Sequence, residues 1–184
     1  LGLASTWDTV LVEKVFAVTA EEMRLRGVTQ AFSPVVDLGR EPRWGRTEET
    51  FGEDPYLVSR IGLAAVNGFQ GRKGALGSNK VVATLKHFAG HGGPENGTNI
   101  APAPYGERTM RETYLFPFEV CVKEGNALCV MASYNEWDGI PSHGNKRLLK
   151  GILQKEWGFK GYVVGDLGGT EELVTIHHLA EDSV

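Results

Sequence analysis

The chain has 184 residues, a formal net charge of −4, and 41% hydrophobic and 23% charged residues. This length can bury one sizeable core but is short for two ordinary enzyme domains. The composition is that of a globular protein, which excludes a largely disordered chain. The basic residues are scattered, and no apolar run reaches the roughly 20 residues of a bilayer span, so neither nucleic acid nor a membrane is expected as a partner.

Five apolar runs are predicted to be strands: residues 2–5, 28–37, 81–88, 127–134 and 161–166. The last four are rich in apolar residues without strict alternation, which is typical of strands buried in a parallel sheet. The first lies at the very start of a chain without an initiator Met. We therefore expect the chain to be part of a longer protein.

Helical patterns separate these runs. The first predicted helix follows Asp8, and the second follows Asp54-Pro55, a cap residue with proline at the first helical position. A third covers about 107–124, a fourth about 145–157, and a fifth starts near Thr170. Glycines at 27, 71, 125 and 158 stand where these helices should end.

About five strand–helix units predict parallel strands, arranged either in a doubly wound sheet or in a barrel. The glycines at 90, 92 and 93 lack the spacing of a dinucleotide fingerprint, so we favour the barrel and expect no cofactor. Five units cannot close an eight-stranded barrel. The predicted fold is α/β, an incomplete (β/α)8 TIM-type barrel. Cys121 and Cys129 are expected to be buried thiols, and without a Cys or His at zinc-like spacing no metal site is expected.

Polar residues lie at the C-terminal ends of four of the predicted strands or just after them, where a barrel carries its chemistry. In chain order they are Arg46, the pair Lys86 and His87, Tyr134, and Asp166. A carboxylate held among cations stays ionised and can act as a nucleophile, and the donors suit a substrate rich in hydroxyls. Each residue also has a structural interpretation: a helix cap, an ion-pair member, or a core residue with its polar atom bonded. Their shared placement favours a site.

Several segments of this sequence resemble glycoside hydrolase family 3. They are FSPVVD (32–37) with RWGRTEETFGEDP (43–55), KHF (86–88), MASYNEWDGIP (131–141) and WGFKGYVVGD (157–166). The match covers nearly the whole chain in the right order. The resemblance implies a retaining enzyme similar to β-glucosidases and β-xylosidases. It also implies that residues 1–184 are a partial N-terminal (β/α)8-type domain, with a second domain absent from this chain.

Residue by residue, the resemblance implies that Asp166 is the nucleophile and forms a covalent glycosyl-enzyme intermediate. Arg46, Lys86, His87 and Tyr134 then bind the sugar in the −1 subsite. The implied substrate is an oligosaccharide or an aryl or alkyl β-glycoside. The family commonly draws its acid/base from the second domain, so we expect this chain alone to be inactive. The resemblance further implies non-proline cis peptides within residues 86–89.

The sequence departs from the family pattern at Leu167, where Trp is usual and helps to bind the leaving-group sugar, and at Glu41, where Asp is usual. Two alternatives remain open. One is a non-catalytic carbohydrate-binding or scaffold chain, which would not need an ionised Asp166. The other is the N-acetylglucosaminidase branch of the family, but its Asp-Ser/Thr-Asp-x-His pattern is missing from residues 90–99. A barrel aldolase would need a lysine isolated in an apolar pocket, unlike Lys86 beside His87.

Overall fold

The computed structural model describes residues 1–72 and 76–182. Its centre is a parallel four-stranded sheet in the order β1, β2, β3 and β6. These strands are β1 (Gln30–Ala31), β2 (Val82–Phe88), β3 (Cys129–Ala132) and β6 (Tyr162–Gly165). A small antiparallel hairpin, β4 (Glu136–Trp137) and β5 (Ile140–Pro141), lies between β3 and β6 in sequence. A parallel sheet whose strands follow one another in chain order is typical of a barrel wall.

A helical segment lies in each connection of the parallel sheet. The α-helices are α1 (Thr9–Leu25), α2 (Pro55–Gln70), α3 (Glu107–Thr109), α4 (Phe116–Lys123) and α5 (Gly169–Thr175). Two of the predicted helices contain π-helical segments, Met110–Tyr114 between α3 and α4, and Arg147–Glu156 between β5 and β6. The sequence pattern predicts these helices but not their wider turns.

Two of the predicted helix starts are confirmed by their caps. The Asp8 carboxylate accepts the backbone N–H groups of Val10 and Leu11 at the start of α1. The Asp54 carboxylate accepts the N–H of Leu57 at the start of α2. Each cap satisfies N–H groups that have no partner inside the helix, and this fixes where the helix begins.

The prediction of a strand at residues 2–5 is wrong, because this segment contains a 3-10 turn, Ala4–Thr6. The hydroxyls of Ser5 and Thr6 donate to the carbonyls of Leu1 and Leu3. Such local bonds offer the backbone an alternative to strand pairing. The parallel sheet within the described residues therefore has four strands rather than five.

The predicted strand at 28–37 is regular only at Gln30–Ala31, since Pro34 has no N–H to donate to a neighbouring strand. The segment nevertheless continues beside β2. The carbonyls of Ser33 and Pro34 accept N–H groups of β2, and the N–H of Val36 donates to the carbonyl of Lys86. This pairing carries the chain to Asp37 at the same end of the sheet as the end of β2.

The hydrophobic core lies between β2, β3 and the helices. The ring of Phe88, at the end of β2, packs edge-on against Phe118 of α4 at 5.1 Å and against Trp157 at 5.8 Å. All three side chains are buried. Cys121 and Cys129 are free and buried, as predicted. This packing holds the C-terminal end of β2 in place.

Candidate active site

The strand register places the C-terminal ends of three strands at one level. Phe88 of β2 is paired with Ala132 of β3, which is paired with Gly165 of β6. The chain therefore leaves the sheet at the C-terminal ends of the strands, just before Tyr134 and at Asp166. Arg46 reaches the same end of the sheet from the loop after β1, so the structure brings the predicted residues together.

The Asp166 carboxylate lies at the centre of this group, with its side chain 14% exposed. Its Oδ1 accepts the backbone N–H of Leu167 at 2.8 Å. Its Oδ2 lies 3.6 Å from Nε2 of His87. One oxygen is thus held by the following residue, while the other faces the candidate site.

A buried carboxylate orients the His87 ring. The Oδ2 atom of Asp37 accepts the backbone N–H of His87 at 3.0 Å and lies 2.7 Å from its Nδ1. Since an ionised carboxylate only accepts, Nδ1 carries the hydrogen and Nε2 is left to face Arg46 and Asp166. The sequence pattern predicts no role for Asp37. Its position at the end of a buried strand, beside an arginine-rich motif, is the signal that points to it.

The backbone around His87 departs from a plain strand. The Lys86–His87 and Phe88–Ala89 peptide bonds are both cis, which confirms the expectation drawn from the family resemblance. The strand pairing shifts register between Leu85 and Phe88. A regular strand would point Lys86 and His87 to opposite faces.

The Arg46 guanidinium connects the acidic and imidazole groups. It donates to both carboxylate oxygens of Glu49, at 2.7 and 3.0 Å. Its Nη2 lies 3.2 Å from Nε2 of His87, and its Nη1 lies 3.3 Å from Nε2 of His91. The hydrogen bond with Glu49 raises the pKa of Arg46 and, in return, lowers the pKa of Glu49. Because a guanidinium only donates, both imidazole Nε2 atoms act as acceptors.

His91 is buried and neutral. Burial lowers its pKa to about 4, while Asp37 pulls in the opposite direction. Its ring packs edge-on against Trp44 at 5.1 Å and against His87 at 4.8 Å. Its Nδ1 atom is buried without a hydrogen-bond partner among the described residues. His91 therefore binds the Arg46 guanidinium from the buried side of the site.

Tyr134 and Lys86 complete the predicted set. The Tyr134 hydroxyl donates to the carbonyl of Leu167 at 2.7 Å, and burial together with the neighbouring Asp166 raises its pKa to about 12. Lys86 is half-buried, and no hydrogen bond or ion pair ties its ammonium to the part of the chain that is described. Its charge helps to lower the pKa of Glu49, after the larger effect of Arg46. Lys86 thus remains a donor available to a ligand.

His143 also contacts the nucleophile candidate, and the sequence pattern does not point to it. Its Nε2 accepts the backbone N–H of Asp166 at 3.1 Å. His143 lies in a 3-10 turn, Ser142–Gly144, 23 positions before Asp166, and no recognisable spacing links the two, so no sequence signal would have found the contact.

The described residues contain no group of three or more side chains suited to hold a metal ion. Among the same residues, every helix is too short or too polar to cross a membrane. The hydrogen-bond donors that converge at the C-terminal ends of the strands are of the kinds that bind hydroxyl groups and stabilise a carboxylate.

Known proteins resemble this chain over almost its whole length. A β-xylosidase of Formosa agariphila is 44% identical over 186 residues, which cover 99% of this chain and 25% of that protein. A β-glucosidase structure from Erythrobacter marinus superposes with a TM-score of 0.92 at 40% identity, covering 95% of this chain and 23% of that one. A structure of a β-glucosidase of Listeria innocua in complex with glucose superposes with a TM-score of 0.92 at 35% identity, and the match covers 98% of this chain and 25% of that one.

The chain spans about a quarter of the length of these relatives. The superpositions confirm the predicted α/β fold of the barrel type. The family described as glycosyl hydrolase family 3, N-terminal domain, matches residues 1–184. With the family segments in order along the sequence and the fold shared with two β-glucosidases, this chain belongs to glycosyl hydrolase family 3.

Proposed function

We propose that this chain forms part of a retaining, exo-acting β-glycosidase that removes terminal β-linked glucose or xylose, with Asp166 as the nucleophile. The observation that carries the proposal is the placement of the Asp166 carboxylate. One of its oxygens is bound by the N–H of Leu167, and the other faces His87 in a site that also contains Arg46. A carboxylate oriented in this way can attack a substrate carbon as a nucleophile.

In the first step, Oδ2 of Asp166 bonds to the anomeric carbon while the bond from that carbon to the leaving-group oxygen breaks. A general acid gives its proton to the departing oxygen. In the second step, the same group takes a proton from water, and the water oxygen displaces Asp166 from the sugar. Arg46, Lys86, His87 and Tyr134 bind the sugar hydroxyls through these steps.

The acid/base is proposed to come from outside these 184 residues. In the part of the chain that is described, the buried Asp37 is paired with His87, which leaves Glu49 and Glu172 as the carboxyl groups to consider near Asp166. Glu49 is paired with Arg46, and its pKa is lowered, which does not suit a general acid. Burial raises the pKa of Glu172, but its Oε2 is enclosed, has no hydrogen-bond partner among the described residues and is not exposed to a leaving group. A retaining site needs a second carboxyl group roughly 5–5.5 Å from the first.

The domain assignment follows from the same reasoning. Residues 1–184 are proposed to be a partial N-terminal (β/α)8-type domain of a longer protein whose remaining part supplies further strands and the acid/base. The relatives carry the names β-xylosidase and β-glucosidase, and one is in complex with glucose. These names support an aryl or alkyl β-glycoside, or an oligosaccharide, as the substrate class.

The stereochemistry of hydrolysis tests this proposal. The longer protein is incubated with an aryl β-glucoside and an aryl β-xyloside, and the first sugar released is observed by NMR. Retention requires that the β-anomer appear before the α-anomer. Asp166→Asn should lower kcat by several orders of magnitude, whereas Asp138→Asn, at an exposed position, should keep the wild-type rate. Initial release of the α-anomer, or binding of the glycosides without turnover, would contradict the proposal.

A further inference from the structure

We infer that His143 is a positioning residue that fixes the backbone of the nucleophile, and that it does so only in its neutral form. The inference rests on the proposed role of Asp166. It concerns a residue that does not reach the substrate and acts through the Asp166 main chain.

One hydrogen bond of His143 defines its tautomer. Its Nε2 accepts the backbone N–H of Asp166 at 3.1 Å, so this nitrogen carries a lone pair. A neutral imidazole with its lone pair on Nε2 carries its hydrogen on Nδ1. His143 therefore accepts through Nε2 and has Nδ1–H as its donor.

The ring is confined between the loop after β3 and the end of β6. It stacks on the ring of Tyr134, with 6.4 Å between centroids and 29° between planes. A Cβ atom built on Gly169 would lie 2.3 Å from the His143 ring, so this position has room only for glycine. A Cβ atom on Gly165 would reach the ring at 3.5 Å. The ring thus links the end of β6 to the loop that carries Tyr134.

Protonation of His143 would remove the acceptor. An imidazolium carries N–H groups on both nitrogens, so Nε2–H would face the N–H of Asp166. The charged and titratable groups that act on the ring are Asp166 after β6 and His177 after α5, with the Ser133 backbone and the Tyr134 ring on the side of β3.

These contacts set the direction of the pH effect. Burial lowers the pKa of His143 below its ordinary value of 6.5, although the Ser133 backbone and Asp166 act to raise it and His177 acts to lower it. The neutral form, which holds the nucleophile, is therefore present at neutral pH. It is lost as the pH falls through the lowered pKa, and activity should fall with it.

The test uses three variants of the longer protein. His143→Phe keeps a ring against Tyr134 but has no acceptor for the Asp166 N–H. His143→Gln offers an oxygen acceptor that does not titrate. His178→Asn is the matched control, because His178 is exposed, bonds to the carbonyl of Val174 and has a positive φ of 51° that Asn tolerates.

For each variant, kcat/KM for an aryl β-glycoside is measured across pH, and folding is checked by circular dichroism. His143→Phe should lower kcat about tenfold near neutral pH with little change in KM, which corresponds to one lost positioning bond. His143→Gln should lose less, about threefold, and should lack the acidic limb attributed to His143. A wild-type profile in His143→Gln, or wild-type kcat in His143→Phe, would overturn the inference.

A second measurement is independent of turnover. In protein labelled with 15N at histidine, the signal that disappears in His143→Gln should show the Nδ1–H tautomer at neutral pH. The opposite tautomer would contradict the inference. Absence of turnover and of any covalent adduct on wild-type Asp166 would instead count against the proposed function, and the tautomer would still decide the role of His143.

Discussion

The Oδ2 atom of Asp37 lies 2.7 Å from Nδ1 of His87, and both side chains are 1% exposed. The same oxygen accepts the backbone N–H of His87. A single buried carboxylate atom thus fixes both the main chain and the ring of His87, whose Nε2 lies 3.6 Å from Oδ2 of Asp166. A buried carboxylate charge needs a compensating positive charge nearby. Arg46 is close enough to provide it, since Asp37 raises the pKa of Arg46 in addition to the larger effect of Glu49.

Two replacements of Asp37 should distinguish the contribution of its charge to stability from the contribution of its hydrogen bonds. Asp37→Asn can keep an oxygen at the Oδ2 position, whereas Asp37→Ala leaves the N–H groups of His87 buried without an acceptor. Asp37→Ala should therefore lower the free energy of unfolding by roughly 2–6 kcal/mol, about 1–3 kcal/mol for each of the two unsatisfied donors, and Asp37→Asn by less. Chemical denaturation measures the difference, with Asp138→Asn as the exposed control. Equal stability of the Ala and Asn variants would show that the two bonds contribute little.

Tyr134 should act as a donor throughout the usual pH range. Burial and Asp166 raise its pKa to about 12, so its hydroxyl is neutral in any ordinary assay. Tyr134→Phe keeps the ring packed near His91 and His143 but removes the bond to Leu167. We expect kcat to fall by about tenfold without a change in the shape of the pH profile. Loss of an alkaline limb below pH 10 in the variant would contradict this assignment.

His91 should make the fold sensitive to acid. Its pKa is about 4 in the folded protein, against an ordinary value of 6.5. Between these values the unfolded chain binds a proton that the folded chain does not, so stability is full above 6.5 and decreases as the pH falls toward 4. The difference between the two pKa values corresponds to roughly 3 kcal/mol of unfolding free energy.

His91→Gln tests this effect, because glutamine does not titrate. Between about pH 7 and about pH 4.5, the wild type should lose roughly 2–3 kcal/mol more unfolding free energy than the variant. The comparison uses the change with pH within each protein, so any constant cost of the substitution cancels. An identical pH dependence in the two proteins would mean that His91 is already protonated or exposed.

Gly169 should be intolerant of any side chain. A Cβ atom there would lie 2.3 Å from the His143 ring, whereas a Cβ atom on Gly106 would meet no atom within 4 Å. Gly169→Ala must displace the ring or α5 and should cost about 1–3 kcal/mol of stability and lower kcat. Gly106→Ala is the matched control and should leave the melting temperature almost unchanged. Equal melting temperatures for the two variants would show that the ring moves without cost.

The sequence predicts the fold where local chemistry is strong. The caps at Asp8 and Asp54 fix helix starts because they satisfy specific N–H groups. The run at 2–5 misleads, because four apolar or small residues cannot distinguish a strand from a 3-10 turn when hydroxyls bond locally. The segment at 28–37 reads as one long strand, yet its regular part ends before Pro34.

The candidate site likewise contains residues that the sequence predicts and residues that it does not. Arg46, Lys86, His87, Tyr134 and Asp166 are predictable because each lies at or after the C-terminal end of a strand, in a recognisable family segment. His143 has no such signal, and although Asp37 ends one of these segments, the sequence does not show which backbone N–H group either residue meets in three dimensions. Contacts across 50 and 23 positions leave no local pattern.

The most direct test of the central claim is covalent labelling of the nucleophile. The longer protein is treated with activated 2-fluoro β-glucoside and β-xyloside, digested, and sequenced by mass spectrometry. The proposed mechanism predicts a glycosyl adduct on the peptide that ends β6, at Asp166, with no adduct in Asp166→Asn. An adduct on another carboxylate such as Glu49 or Glu172, in a protein that turns over normally, would contradict the assignment.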